Sequence, residues 1–169
     1  LLLVCDSIDA ASIPHYSEKA IQYGIGFSGF STQAAFLDYD RDNDLDLFLL
    51  NHSVNHDGNY APRSNFAGTY DSLAGHKLFR NDWKKGGAGD DQVVFTDVTE
   101  ASGIHSSRIG YGLGVAVADI NLDGWPDIYV GNDFHENDYL YINQQNGRFA
   151  DESTKRLGPV SYTHLTLPT

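Results

Sequence analysis

Two short acidic runs hold the residues best suited to do chemistry in this chain: DYDRDNDLD, from Asp38 to Asp46, and DINLDGWPD, from Asp119 to Asp127. In both, oxygen-bearing side chains fall at relative positions 1, 3, 5 and 9, with a turn residue at position 6. Crowding Asp38, Asp40, Asp42, Asp44 and Asp46 into one run sets like charges together, at a cost of roughly 4 kcal/mol for each pair about 4 Å apart at an effective dielectric near 20. A bound cation reverses that sign. Neither run contains a thiolate or an imidazole, and hard oxygen donors alone favour calcium over zinc or copper.

The spacing suggests how each run would hold the ion. In the first, Asp38, Asp40, Asp42 and Asp46 would use side chains and Asp44 its main-chain carbonyl. In the second, Asp119, Asn121, Asp123 and Asp127 would use side chains, and Trp125 stands where the carbonyl is taken. Position 6 calls for a positive φ, which suits Gly124 and is tolerated by Asn43. An EF-hand starts in the same way but needs a Glu at position 12 and flanking helices. Here position 12 is Leu49 or Val130, and the flanking runs AAFL, LDLFLL, GVAVA and DIYV read as buried strands. A solvated acidic turn without metal is the bland reading of either run alone; two copies in matching context argue against it.

The elements that position these loops recur. Gly24-Ile25 and Gly103-Ile104 each precede a Gly-rich stretch, a strand, an acidic loop, a second strand and an Asn, at Asn51 and Asn132. After a polar insertion the pattern resumes with KLFRN (77–81) and YLYIN (139–143), then closes with FTDVTEASG and FADESTKRLG. LLLV followed by YSEKAIQYGI matches the closing part of an earlier copy. The expected organisation is therefore the end of one repeat over 1–25, full repeats over 26–103 and 104–158, and a tail over 159–169 that carries no landmark and reads as translated adapter sequence. Each repeat offers about four short strands that cannot bury their own faces, as in the blades of a β-propeller. The expectation is an all-β chain of about two and a half blades, a piece of a longer ring.

The segments GFSTQAAFLDYD, LLNHS, KLFRN, FTDVTEASGI, GYGLGVAVADINLDGWPDIYVGNDF and YLYIN resemble the FG-GAP or VCBS-type repeats of integrin-like propellers. Over 1–157 they are most similar to proteins carrying an ASPIC/UnbV domain, related to cartilage acidic protein. That resemblance implies a seven-bladed calcium-binding propeller, secreted or displayed at the cell surface, acting in recognition and adhesion of a protein or glycan. Asn43 departs from the usual loop glycine, and no ASPIC/UnbV segment is present.

Composition agrees. A formal net charge of -12 disfavours nucleic acid phosphates as partners. The 17 glycines, 10 tyrosines and 9 phenylalanines suit a turn-rich β protein, and no apolar run is long enough for a transmembrane helix. LLLVC ending at Cys5 resembles a lipoprotein signal, but its register matches KLFRN and YLYIN, which makes it a strand; a lone cysteine allows no intrachain disulfide. A secreted or surface location, bacterial outer surface or periplasm, follows from calcium, because such extracellular modules bind it at about 0.1 to 1 mM.

Two polar loops could hold further function. One runs from His52 to His76 with His56, Asp57, Tyr60, Arg63 and Tyr70; the other, NDFHEND, holds Asp133, His135, Glu136 and Asp138. Such residues more often cap local turns, and no nucleophile triad or carboxylate pair stands out. KKGGAG (84–89) is off-pattern for a phosphate loop and reads as a hairpin tip. Three classes of function stay open: a noncatalytic recognition propeller, the propeller part of a secreted polysaccharide-acting enzyme with its catalytic residues elsewhere, and a structural spacer.

Overall fold

The computed structural model describes residues 2–55, 61–66, 69–83, 94–105, 107–133 and 136–157. Those residues form three antiparallel sheets with almost no helix. A hairpin pairs β1 (Leu3–Ile8) with β2 (Pro14–Glu18). One four-stranded sheet runs in chain order through β3 (Ser31–Leu37), β4 (Asp46–Asn51), β5 (Lys77–Asn81) and β6 (Phe95–Asp97). A second repeats that order with β7 (Gly112–Ala118), β8 (Asp127–Asn132), β9 (Tyr139–Asn143) and β10 (Phe149–Asp151), followed by one helical turn, α1 (Ser153–Arg156). The tail over 159–169 and the KKGGAG stretch (84–89) lie outside the described residues.

The two sheets agree residue by residue. Leu37 faces Asp46 as Ala118 faces Asp127, and a register shift interrupts β3 between Ser31 and Gln33 as it does β7 between Gly112 and Gly114. Asn81 pairs with Phe95 as Asn143 pairs with Phe149. The hairpin fits the same frame: Lys19 N donates to Leu2 O at 2.8 Å, Val98 N to Leu78 O at 2.9 Å and Glu152 N to Leu140 O at 2.8 Å. Thus β1 and β2 hold the places of β5 and β6.

Alternation along β4 explains why DLFLLN looks like an unbroken apolar run. Successive side chains point to opposite faces, and both faces are covered. Phe48 and Leu50 pack with Leu78, Ile128, Val130 and Tyr141 in the core between the two large sheets. Leu47 packs instead with Phe79 and Phe95, and Tyr23, Ile25 and Phe27 cover that side. The first strands, β3 and β7, meet through side chains: Gln33 Oε1 accepts from Val115 N at 2.9 Å, and Thr32 Oγ1 donates to Gly112 O at 3.2 Å.

Glycine is required where each closing segment crosses onto the next sheet. Gly24 and Gly103 have φ of 81° and 77°. An added Cβ would lie 2.4 Å from Phe95 O or 2.8 Å from Phe149 O. These close approaches let Tyr23 O and Ser102 O accept from Phe95 N and Phe149 N at 2.8 and 2.7 Å, adding a backbone link to the outer strand.

Candidate metal-binding loops

Each acidic run connects the first two strands of a four-stranded sheet, so neither lies between helices. Both turns adopt the same conformation. Position 6 is left-handed, with φ of 74° at Asn43 and 88° at Gly124. Position 4 is left-handed as well, at Arg41 and Leu122, each with φ of 61°. Neither residue type favours that region, so nothing in the sequence signalled the second twist.

The hydrogen bonds inside the two loops also correspond. Asn43 N donates to Asp38 Oδ2 at 3.2 Å, and Gly124 N to Asp119 Oδ2 at 2.8 Å. Asp44 N donates to Asp42 Oδ1 at 3.1 Å, and Trp125 N to Asp123 Oδ1 at 2.9 Å. At position 9, both oxygens of a fully buried carboxylate are held. Asp46 accepts from Tyr39 N at 3.0 Å and Asn81 N at 2.9 Å. Asp127 accepts from Ile120 N at 2.9 Å and Asn143 N at 2.8 Å. These two aspartates tie each loop to the third strand of its sheet, while each oxygen keeps a second lone pair for an ion.

In the first loop, ligand atoms of Asp38, Asp40 and Asp42 all lie within 4.8 Å of one another. Asp38 Oδ1, Asp40 Oδ1 and Asp44 Oδ1 are buried and have no hydrogen-bond partner. Burial, then the neighbouring Asp42, raises the pKa of Asp40. The same two causes push Asp44 up to about 6, with Asp40 adding to them. Burial pushes Asp46 up to about 7, against the pull of its two backbone donors. The Asp44 side chain, which sequence reasoning set aside in favour of its carbonyl, thus belongs to the same electrostatic cluster. Hard oxygens left without donors, on carboxyls raised by burial and then by mutual repulsion, fit a divalent cation of the calcium type.

In the second loop, Asp119, Asn121 and Asp123 are drawn together by direct bonds. Asp123 N donates to Asp119 Oδ1 at 2.9 Å and to Asn121 Oδ1 at 3.1 Å, and Asn121 Nδ2 donates to Asp123 Oδ2 at 2.9 Å. Gln145 Nε2 reaches the same Asp123 oxygen at 3.0 Å. These donors, Trp125 N foremost, hold the Asp123 carboxyl below its ordinary value. The Trp125 ring lies under the Arg41 guanidinium, 5.2 Å from centroid to carbon, so the loops are neighbours.

Sequence reasoning passed over the residues that join them. Asn143 Nδ2 donates to Tyr39 O at 2.8 Å and to Pro126 O at 3.3 Å. The signal was the Asn that ends both KLFRN and YLYIN, recognised as a landmark without a role.

The opposite ends of the strands carry structural bonds. His76, the last residue of the first polar insertion, is buried against Phe48 and Tyr139, accepts from Asn51 N at 3.2 Å, and is pushed down to about 3 by burial. Asp71 Oδ1 accepts from Leu73 N and Ala74 N, Asp138 Oδ1 from Asn132 N at 2.8 Å, and buried Glu136 accepts from Ser107 Oγ. Asp133 N donates to Tyr111 O at 3.0 Å, and the rings of His52 and Tyr111 lie 5.4 Å apart. His56, Asp57, Tyr60 and His135 fall outside the described residues. A cleft of about 340 Å³ between the hairpin and β3–β4 is lined by Leu2, Ile25, Phe27, Phe36 and other residues, none acidic or histidine, and is separate from the acidic loops.

A family model described as an FG-GAP-like repeat matches residues 119–167. The match begins at Asp119, the first residue of the second loop, spans β8 to α1, and continues through 158–167 into the stretch that sequence reading set apart. No curated protein matches the chain. Among the described residues, no helix is long and apolar enough to cross a membrane.

Proposed function

We propose that the chain is part of a calcium-stabilised, integrin-like propeller that recognises a protein or glycan outside the cell and has no catalytic activity of its own. The observation that carries this reading is the trio of buried carboxylate oxygens without donors, Asp38 Oδ1, Asp40 Oδ1 and Asp44 Oδ1, in one of two matching strand-to-strand loops. Calcium would supply the missing positive charge and cross-brace the first two strands of each blade. Asp38, Asp40, Asp42, Asp44 and Asp46 would hold one ion; Asp119, Asn121, Asp123, Asp127 and the Trp125 carbonyl would hold another. The FG-GAP-like repeat supports placing these sheets as blades of a ring, with relatives of the ASPIC/UnbV type as the finer assignment. An extracellular or surface location follows from the calcium supply such loops need.

The test is a binding and turnover screen of the complete propeller protein that includes this chain, against polysaccharides and extracellular matrix proteins, in calcium and in chelator. Calcium-dependent binding without product release is the expected result. Product release would transfer the chain to the polysaccharide-acting class, and neither binding nor release would leave a spacer.

A further inference from the structure

Resting on the calcium reading, we infer that Asn143 couples the two acidic loops, so that an ion in one raises the affinity of the other. A continuous set of bonds runs between the two position-9 aspartates. Asp46 Oδ2 accepts from Tyr39 N at 3.0 Å, Tyr39 O accepts from Asn143 Nδ2 at 2.8 Å, and Asn143 N donates to Asp127 Oδ1 at 2.8 Å. Asn143 is 2 % exposed, so water does not compete for these bonds.

Tyr39 is the residue between Asp38 and Asp40. Its N–H and its carbonyl are both held, one by its own loop and one by the next sheet, and these two peptide planes fix where both carboxylates start. Asn81, at the corresponding place in the first sheet, shows which bonds are local. It donates to Leu45 O at 3.2 Å as Asn143 donates to Pro126 O, and its N–H serves Asp46 as that of Asn143 serves Asp127. The bond to Tyr39 is the extra one that crosses between sheets. Arg41 over Trp125 adds a second contact between the same loops. A loop whose backbone is already pinned loses less conformational freedom when it closes on an ion. Thermodynamic linkage then requires the benefit to be equal in both directions.

The test is calcium titration calorimetry on the full chain freed of metal, comparing wild type with Asp42→Ala, Asp123→Ala and the same pair in an Asn143→Ala background. Asp42 and Asp123 are exposed, so their variants leave the core alone and test coupling even if Asn143→Ala fails to fold. The product of the two stepwise association constants of wild type should exceed the product of the two single-loop constants by about five- to tenfold, the lower part of the usual range for coupled sites. In the Asn143→Ala background the ratio should fall below about twofold, since the bridging amide is then gone. A ratio of one in wild type, with both ions bound, overturns the coupling and leaves the calcium reading standing. A ratio unchanged in folded Asn143→Ala overturns the role of Asn143. No calcium uptake by folded wild-type protein overturns both.

Discussion

The guanidinium of Arg41 lies 5.2 Å from the centroid of the Trp125 ring, so position 4 of one acidic loop rests on position 7 of the next. Arg41 is exposed and left-handed, and the contact therefore belongs to the weak end of cation–π energies, about 0.5 to 1 kcal/mol. Arg41→Ala should lower stability in urea by about that amount, and the emission of Trp125 should move with it. Trp125→Phe identifies the signal against Trp83. An unchanged midpoint and spectrum would remove this contact from the account.

The glycines make a differential prediction. Gly103→Ala places a Cβ 2.8 Å from Phe149 O at a φ of 77°, and Gly24→Ala one 2.4 Å from Phe95 O. Each should cost more than about 2 kcal/mol, since left-handed strain alone is about 1 to 2 kcal/mol. Gly124→Ala has the same strain but its nearest neighbour is Arg41 Nη1 at 3.7 Å, so about 1 kcal/mol is expected. Asn43→Gly should stabilise slightly. Denaturation midpoints of the four variants check the order.

Much of this was legible in the sequence. The strand–loop–strand context and the turn residues Asn43 and Gly124 follow from local pattern, and the fold sets both loops between strands with a positive φ at those two residues. The bond from Asn143 to Tyr39 was not legible, because its partners lie 104 residues apart and no local periodicity links them. His76 reads as part of a polar insertion, yet the packing of Phe48 and Tyr139 around it decides its burial. The Asp44 side chain was passed over because the loop pattern assigns that position its carbonyl.

Asp127, like Asp46, should be far more sensitive for folding than the exposed acidic position of its loop, Asp123. Its side chain is fully buried and holds Ile120 N and Asn143 N. Asp127→Ala strands both donors, each at about 1 to 3 kcal/mol. Asp123→Ala, at an exposed site, should cost far less in chelator. Urea melts of both variants without metal separate the two roles.

Acidity should act with opposite sign on the free and the calcium-loaded protein. Asp44 and Asp46 stay protonated in the fold up to about 6 and about 7, above their ordinary value. Their contribution to the metal-free protein is therefore full below about pH 4 and lost as pH rises through those values. Ion binding needs them ionised and strengthens over the same window. His76, held down to about 3, favours the fold above its ordinary value and loses that contribution as pH falls toward 3, equally with and without metal. The difference in melting temperature between calcium and chelator should thus grow from pH 5 to pH 7.5. A difference that is flat with pH would contradict this assignment.

The most direct measurement of the central claim is calcium titration of the chain together with its melting temperature in calcium, magnesium and chelator. Two ions bound in wild type, one in Asp42→Ala and one in Asp123→Ala are predicted, with a higher melting temperature in calcium and little effect of magnesium, which demands tighter octahedral geometry. A folded chain that takes up no calcium and melts at the same temperature in all three solutions would contradict it.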